Sequence, residues 1–119
     1  MGRSLMVLMV IALTVSLMGC IEPSREGYRD IAADTVCDEM DRCGRLGSGG
    51  EYSSYSDCVV EERSRFNSMW PESHCGDGKI NADRFDDCMR RAELWACSGT
   101  LLDFLAAADS CHRNRVCID

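Results

Sequence analysis

Nine of the 119 residues are cysteine, and no other residue type here offers as much chemistry. Eight of them, Cys37, Cys43, Cys58, Cys75, Cys88, Cys97, Cys111 and Cys117, occupy the C-terminal two thirds, while Cys20 stands apart. A thiol can ligate a metal, act as a nucleophile or close a disulfide, and spacing separates these uses. No C-x₂₋₄-C pair is present, which argues against a zinc site. The same absence argues against a thiol–disulfide oxidoreductase and against attached haem. The two histidines each abut a cysteine, His74 before Cys75 and His112 after Cys111, so a mixed Cys/His site is the one metal arrangement available. The expectation is no metal and no cofactor. An even set of eight in an oxidising compartment closes instead into four disulfides.

Other constellations are weaker. The segment from Asp77 to Phe85 resembles the second half of an EF-hand, with Gly78 at loop position six and Ile80 at eight. Positions one, three and twelve then fall on Ser73, Cys75 and Arg84, where calcium needs carboxylates. A turn followed by an N-capped helix accounts for the same residues. The loop Arg45 to Glu51 is glycine-rich but carries neither phosphate-binding pattern. No G-x-S-x-G is present. The adjacent carboxylates Glu61-Glu62 and Asp86-Asp87 would point about 100° apart on a helix, which suits solvated faces better than an acid/base pair. The chain is not expected to be an enzyme. Its formal charge of −7, with no basic stripe, also disfavours nucleic acid as a partner.

Positioning begins at the N-terminus. Leu5 to Met18 is an uncharged, mostly apolar run, suited to a secretory signal and short for a membrane span of about 20 residues. It ends in Leu17-Met18-Gly19-Cys20, which resembles the bacterial lipobox. That resemblance implies cleavage before Cys20 and a diacylglycerol on its thiol, so that the membrane is a partner through the N-terminal lipid. Two or three acyl chains anchor stably where one does not. Ile21 rather than Asp follows the cysteine, which in lipoprotein sorting points to the outer membrane of a bacterial envelope. The expected organisation is a signal peptide over 1–19, a lipidated tether over 20–27 and a cysteine-rich helical domain over 28–119. Lipidation of Cys20 also explains why the cysteine total is odd.

The domain is poor in Leu, Ile, Val and Phe, below the roughly 20% at which chains resemble disordered ones. Disulfides, at about 2–4 kcal/mol each, offset that deficit. Helical periodicity predicts four amphipathic helices. The first runs from Tyr28 to Cys43, with Ala32, Ala33, Val36, Cys37, Met40 and Cys43 inward and Asp30, Asp34, Asp38 and Asp41 outward. The second runs from Ser54 to Trp70, opened by Ser54 with Asp57 and closed by Pro71. The third is Ala82 to Ala96, capped by Asn81. The fourth runs from Thr100 to about Cys111, with Leu101, Phe104, Leu105, Ala108 and Cys111 as its stripe. Glu72 to Ile80 reads as a loop. With no period-2 strand, the fold class is all-α, a small four-helix bundle. Eight cysteines allow 105 connectivities. Geometry favours Cys43–Cys58 across the first turn and Cys88–Cys111 between antiparallel third and fourth helices. Cys37–Cys97 and Cys75–Cys117 remain.

The run Cys37…Asp41-Arg42-Cys43-Gly44, the glycine-rich loop, Tyr55-x-x-Cys58, then Cys75, Cys88, Cys97 and two terminal cysteines resembles small exported lipoproteins of myxobacteria. One such family, a domain of unknown function, carries a natural-product-biosynthesis lipoprotein label. The resemblance carries over no catalytic residues. The functional expectation is a lipid-anchored envelope protein of non-enzymatic character that binds or scaffolds an envelope protein partner. The alternative is a small-molecule or metal carrier with an interhelical pocket near Trp70 and Trp95.

Overall fold

The computed structural model describes residues 22–118. Six helices and no strand occur among them: α1 Arg25–Arg42, α2 Tyr55–Met69, α3 Glu72–Cys75, α4 Ala82–Ser98, α5 Leu101–Cys111 and α6 Arg113–Val116. The four long ones, α1, α2, α4 and α5, form the all-α bundle. The signal segment and Cys20 lie outside the described residues.

Capping side chains set the helix starts. Ser54, Asn81 and Thr100 accept from the backbone N–H three residues on, at 3.1, 3.0 and 3.3 Å, so each satisfies an N–H that the helix itself leaves free. The first helix begins earlier than periodicity suggests. Ser24 is its N-cap, accepting from the Gly27 N–H at 3.1 Å, so the expected tether is helical from Arg25 onward. The expected loop after Pro71 holds the single turn α3, and the tail holds α6, opened by His112, whose Nδ1 accepts from the Asn114 N–H at 3.1 Å. The segment between α3 and α4 turns at Gly78, and Ile80 bridges to Cys117 in antiparallel fashion.

α1 and α2 form one antiparallel hairpin and α4 and α5 another. The hairpins meet through α1 and α4, which run parallel: Tyr28 and Phe85, near their N-termini, stack at 4.8 Å, and Cys43 and Cys97 join their C-terminal ends. Around the bundle the order is therefore α2, α1, α4, α5. The core is built from alanine, methionine, cystine and aromatics rather than branched aliphatics. Trp70 is fully buried between Phe66 at 5.0 Å and Phe85 at 5.9 Å, its Nε1 donating to the Cys111 carbonyl at 2.8 Å.

Four disulfides are present: Cys37–Cys58, Cys43–Cys97, Cys75–Cys117 and Cys88–Cys111, with Cα separations of 5.9, 5.3, 5.1 and 4.6 Å. The expected pairs Cys43–Cys58 and Cys37–Cys97 are thus exchanged. Cys37 shares the buried stripe of Ala33, Val36 and Met40, and its partner Cys58 lies in the first turn of α2, across the antiparallel pair. Cys43 is one residue past the end of α1. There the chain has turned off the α2 face and lies against the last turn of α4, where Cys97 stands. Parallel packing of α1 on α4, which periodicity does not encode, decides between the two pairings.

Candidate functional site

Only three sides of this square are closed by helix packing. The fourth, between α2 and α5, is an apolar groove of about 50 Å³. Its floor is Val36, Phe66, Ala92 and Trp95, and its α5 wall is Phe104, Ala107, Ala108 and Cys111. The α2 wall carries Glu62, Arg65 and Met69. Spacing explains the walls. Glu62, Arg65, Phe66 and Met69 recur at three and four residues on α2, and Phe104, Ala107, Ala108 and Cys111 do the same on α5.

Arg65 crosses the opening. Its guanidinium carbon is 5.4 Å from the Trp95 ring centroid and 5.8 Å from that of Phe104. Arg45 lies on Trp95 as well, at 5.7 Å, so the indole meets two guanidinium groups. Arg65 also lies 3.8 Å from the Glu62 carboxylate. Glu62 itself is 1% exposed, accepting a 2.7 Å hydrogen bond from the Tyr52 hydroxyl. This corrects the expectation of a solvated Glu61-Glu62 pair: Glu61 is exposed and Glu62 belongs to the interior, while Asp86 and Asp87 are both exposed. Burial pushes the Glu62 carboxyl above its ordinary range, against the lowering effects of the Tyr52 hydrogen bond and Arg65. The Tyr52 phenol is likewise raised, by burial and by its hydrogen bond to Glu62. The pair is a joint between loop and helix.

Above the groove, α5 leaves its leucines uncovered. Leu101 is 71% exposed, Leu102 78% and Leu105 55%. Leu101 and Leu105 continue the Phe104–Ala108 stripe outward, so that the predicted inward face of this helix is only half used. Ala107 and Cys111 take the core side. Of the two tryptophans expected beside a pocket, Trp95 lines the groove and Trp70 does not, since its ring and its N–H are both occupied inside the core.

The remaining chemical candidates are engaged structurally. Asp77, the lead carboxylate of the EF-hand-like segment, accepts from the Arg25 backbone N–H at 2.8 Å, and Asn81 caps α4. His74 is half-buried and His112 is an exposed helix cap. Among the described residues, three potential metal-ligand atoms come within 4.8 Å of one another only at Glu39, Cys43 and Cys97, where the two sulfurs are bonded to each other.

Two arginines that carry no sequence signal hold the helix ends around the groove. Arg25, 8% exposed, donates from Nε to the Trp70 carbonyl at 2.6 Å and from Nη2 to the Asn67 carbonyl and side chain at 3.1 and 3.0 Å. It thereby closes the C-terminus of α2, where a helix presents free carbonyls and partial negative charge. Arg45 does the same for α4, donating from Nη1 to Trp95 and Ala96 carbonyls at 2.8 and 2.7 Å. Their partners lie 42 to 51 residues away. Gly99, with φ of 64°, completes the α4 end, and a Cβ there would meet the Arg45 guanidinium at 2.7 Å. The left-handed turn favours glycine at that position, and a side chain there would have to displace the arginine.

No curated protein and no solved structure matches this chain. A family model does match, over residues 37–119, beginning at the first cysteine of the disulfide framework. The chain belongs to that family of unknown function, DUF6184.

Proposed function

We propose that this is a lipid-anchored cell-envelope protein, without catalytic activity of its own, that binds or scaffolds another envelope protein through the α2/α5 groove and the leucine face of α5. The observation that carries the reading is the exposure of Leu101, Leu102 and Leu105 on one short helix, beside a groove floored by Trp95 and Phe66. Uncovered apolar surface of that kind on a small domain marks interaction sites. Four disulfides keep the helices from rearranging to bury it, and a preformed surface loses less entropy on binding. Anchoring rests on the Leu17–Cys20 signal. The rival reading, a small-molecule carrier, is weakened by size: about 50 Å³ is far below the 300–1,000 Å³ of ligand pockets. A metal carrier is weakened because the one candidate cluster has its sulfurs in a disulfide.

The test is chemical crosslinking on intact membranes, followed by capture of the lipidated protein, comparing wild type with Leu101→Glu/Leu105→Glu. The expected result is a stoichiometric protein partner that the double variant loses, with its thermal unfolding unchanged. Equal capture by both forms would refute the assignment of this face. Recovery of a bound small molecule with no protein would favour the carrier.

A further inference from the structure

The four disulfides differ in access. In Cys37–Cys58, Cys75–Cys117 and Cys88–Cys111 every cysteine is buried. Cys43 and Cys97 are both half-exposed, at the end of the bundle where the C-termini of α1 and α4 meet. Thiol–disulfide exchange needs a thiolate to reach a sulfur, so access and the leaving sulfur's environment set which bridge reacts.

That environment is polarised. Arg42 Nη2 lies 3.5 Å from Cys97 Sγ, and Glu39 Oε1 lies 3.2 Å from the same sulfur, while Glu39 and Arg42 pair with each other. The guanidinium stabilises negative charge arriving on Cys97. The carboxylate can accept the hydrogen bond of the thiol formed there, and its own charge repels an incoming thiolate from the Cys97 side. The same carboxylate opposes negative charge on Cys97, but its repulsion of the incoming thiolate and the guanidinium's attraction together make Cys97 the leaving sulfur and Cys43 the sulfur attacked.

We infer that Cys43–Cys97 is a thiol-exchange site for an external dithiol, with Cys43 as the electrophile. The attacking thiolate bonds to Cys43 Sγ, the Cys43–Cys97 bond breaks, and the electron pair leaves on Cys97 Sγ, which takes up a proton beside Glu39. The second thiol of the reductant, as thiolate, then attacks its own sulfur in the mixed disulfide. It closes the reductant's disulfide and releases Cys43, which is protonated in turn. Two electrons and two protons pass from the dithiol to this bridge. The other three bridges stay closed, so the α1/α2 and α4/α5 hairpins keep their internal staples. Only the covalent tie between α1 and α4 is opened. This site is independent of the groove and of any partner bound there.

The full-length protein is treated with graded dithiothreitol for short times, quenched with iodoacetamide and mapped by peptide mass. The expected result is alkylation of Cys43 and Cys97 at dithiol concentrations about tenfold below those that label the other six. Another bridge opening first, or all four opening together, overturns the inference. With reduced glutathione, the adduct is expected on the Cys43 peptide, and an adduct on the Cys97 peptide overturns the direction of attack. Arg42→Gln is expected to slow opening of this bridge several-fold while leaving the other three unchanged, and an unchanged rate removes the guanidinium from the argument.

Discussion

Replacing Arg25 by Met tests whether this residue, inside the segment 20–27 that the sequence suggests as a tether, is part of the fold. Methionine keeps most of the apolar stem and removes the guanidinium. Four hydrogen bonds are then lost: to the Trp70 carbonyl at 2.6 Å, the Asn67 carbonyl at 3.1 Å, the Asn67 side chain at 3.0 Å and the exposed Glu26 carboxylate at 3.1 Å. Asn67 is exposed and water can replace the arginine there. Trp70 is fully buried, and its carbonyl is left without its donor. Leaving one buried acceptor unpaired costs about 1–3 kcal/mol, and loss of a cation at a helix C-terminus adds about 0.3–1 kcal/mol. The expected loss is about 2–3 kcal/mol. At about 4–8 °C per kcal/mol for a domain of this size, the melting temperature should fall by roughly 8–24 °C. Thermal unfolding followed together by far-ultraviolet circular dichroism and tryptophan fluorescence measures it. Arg29→Met is the control. Arg29 pairs with Asp30 and reaches Asn67 at 3.3 Å on the surface, where such contacts contribute under about 1 kcal/mol. Equal melting temperatures for Arg25→Met and Arg29→Met would refute the reasoning and leave Arg25 without a stabilising role at the C-terminus of α2.

Gly99→Ala should destabilise by about 1–2 kcal/mol from the left-handed turn alone, and further by displacing Arg45 from the α4 carbonyls. In an Arg45→Ala background the second part disappears, so a denaturant double-mutant cycle should show less than additive loss. Glu62→Gln should stabilise the protein at neutral pH, because the native carboxyl is held above its ordinary pKa and its charged form is penalised. The native state binds the extra proton, so wild-type stability falls as pH rises from the ordinary glutamate value of 4.5 through the raised native one. Urea unfolding across pH should show the variant's advantage growing over that window and absent below it. A constant difference would show that the Glu62 carboxyl titrates alike in the folded and unfolded states.

Legibility in the sequence followed interaction range. The caps Ser54, Asn81 and Thr100 sit three residues from the N–H groups they satisfy, and periodicity is local too, so four helices and their inward faces could be read from the chain. An even cysteine count likewise pointed to four bridges. What failed depended on packing between distant segments. Cys37 and Cys43 exchanged partners because α1 lies parallel to α4. Arg25, in the expected tether, and Arg45, in the glycine-rich loop, carried no signal because the carbonyls they cap are 42 to 51 residues away. Glu62 looked solvated because nothing local announces Tyr52 reaching it across the loop. The α5 stripe was legible as apolar, but not as half-uncovered: that follows from α5 docking on α4 while α2 stays apart.

The order of the disulfides along the chain bears on how the protein is made. Its pairs join the first cysteine of the framework to the third, the second to the sixth, the fourth to the eighth and the fifth to the seventh. No cysteine is bonded to its neighbour in sequence. An oxidant that joined thiols in order of emergence would produce four wrong bridges, beginning with Cys37 to Cys43. A chain oxidised in that way reaches its native connectivity only by reshuffling, which calls for an isomerase or a thiol buffer as well as an oxidant. Yield on expression should therefore depend on isomerase supply more than on oxidising power.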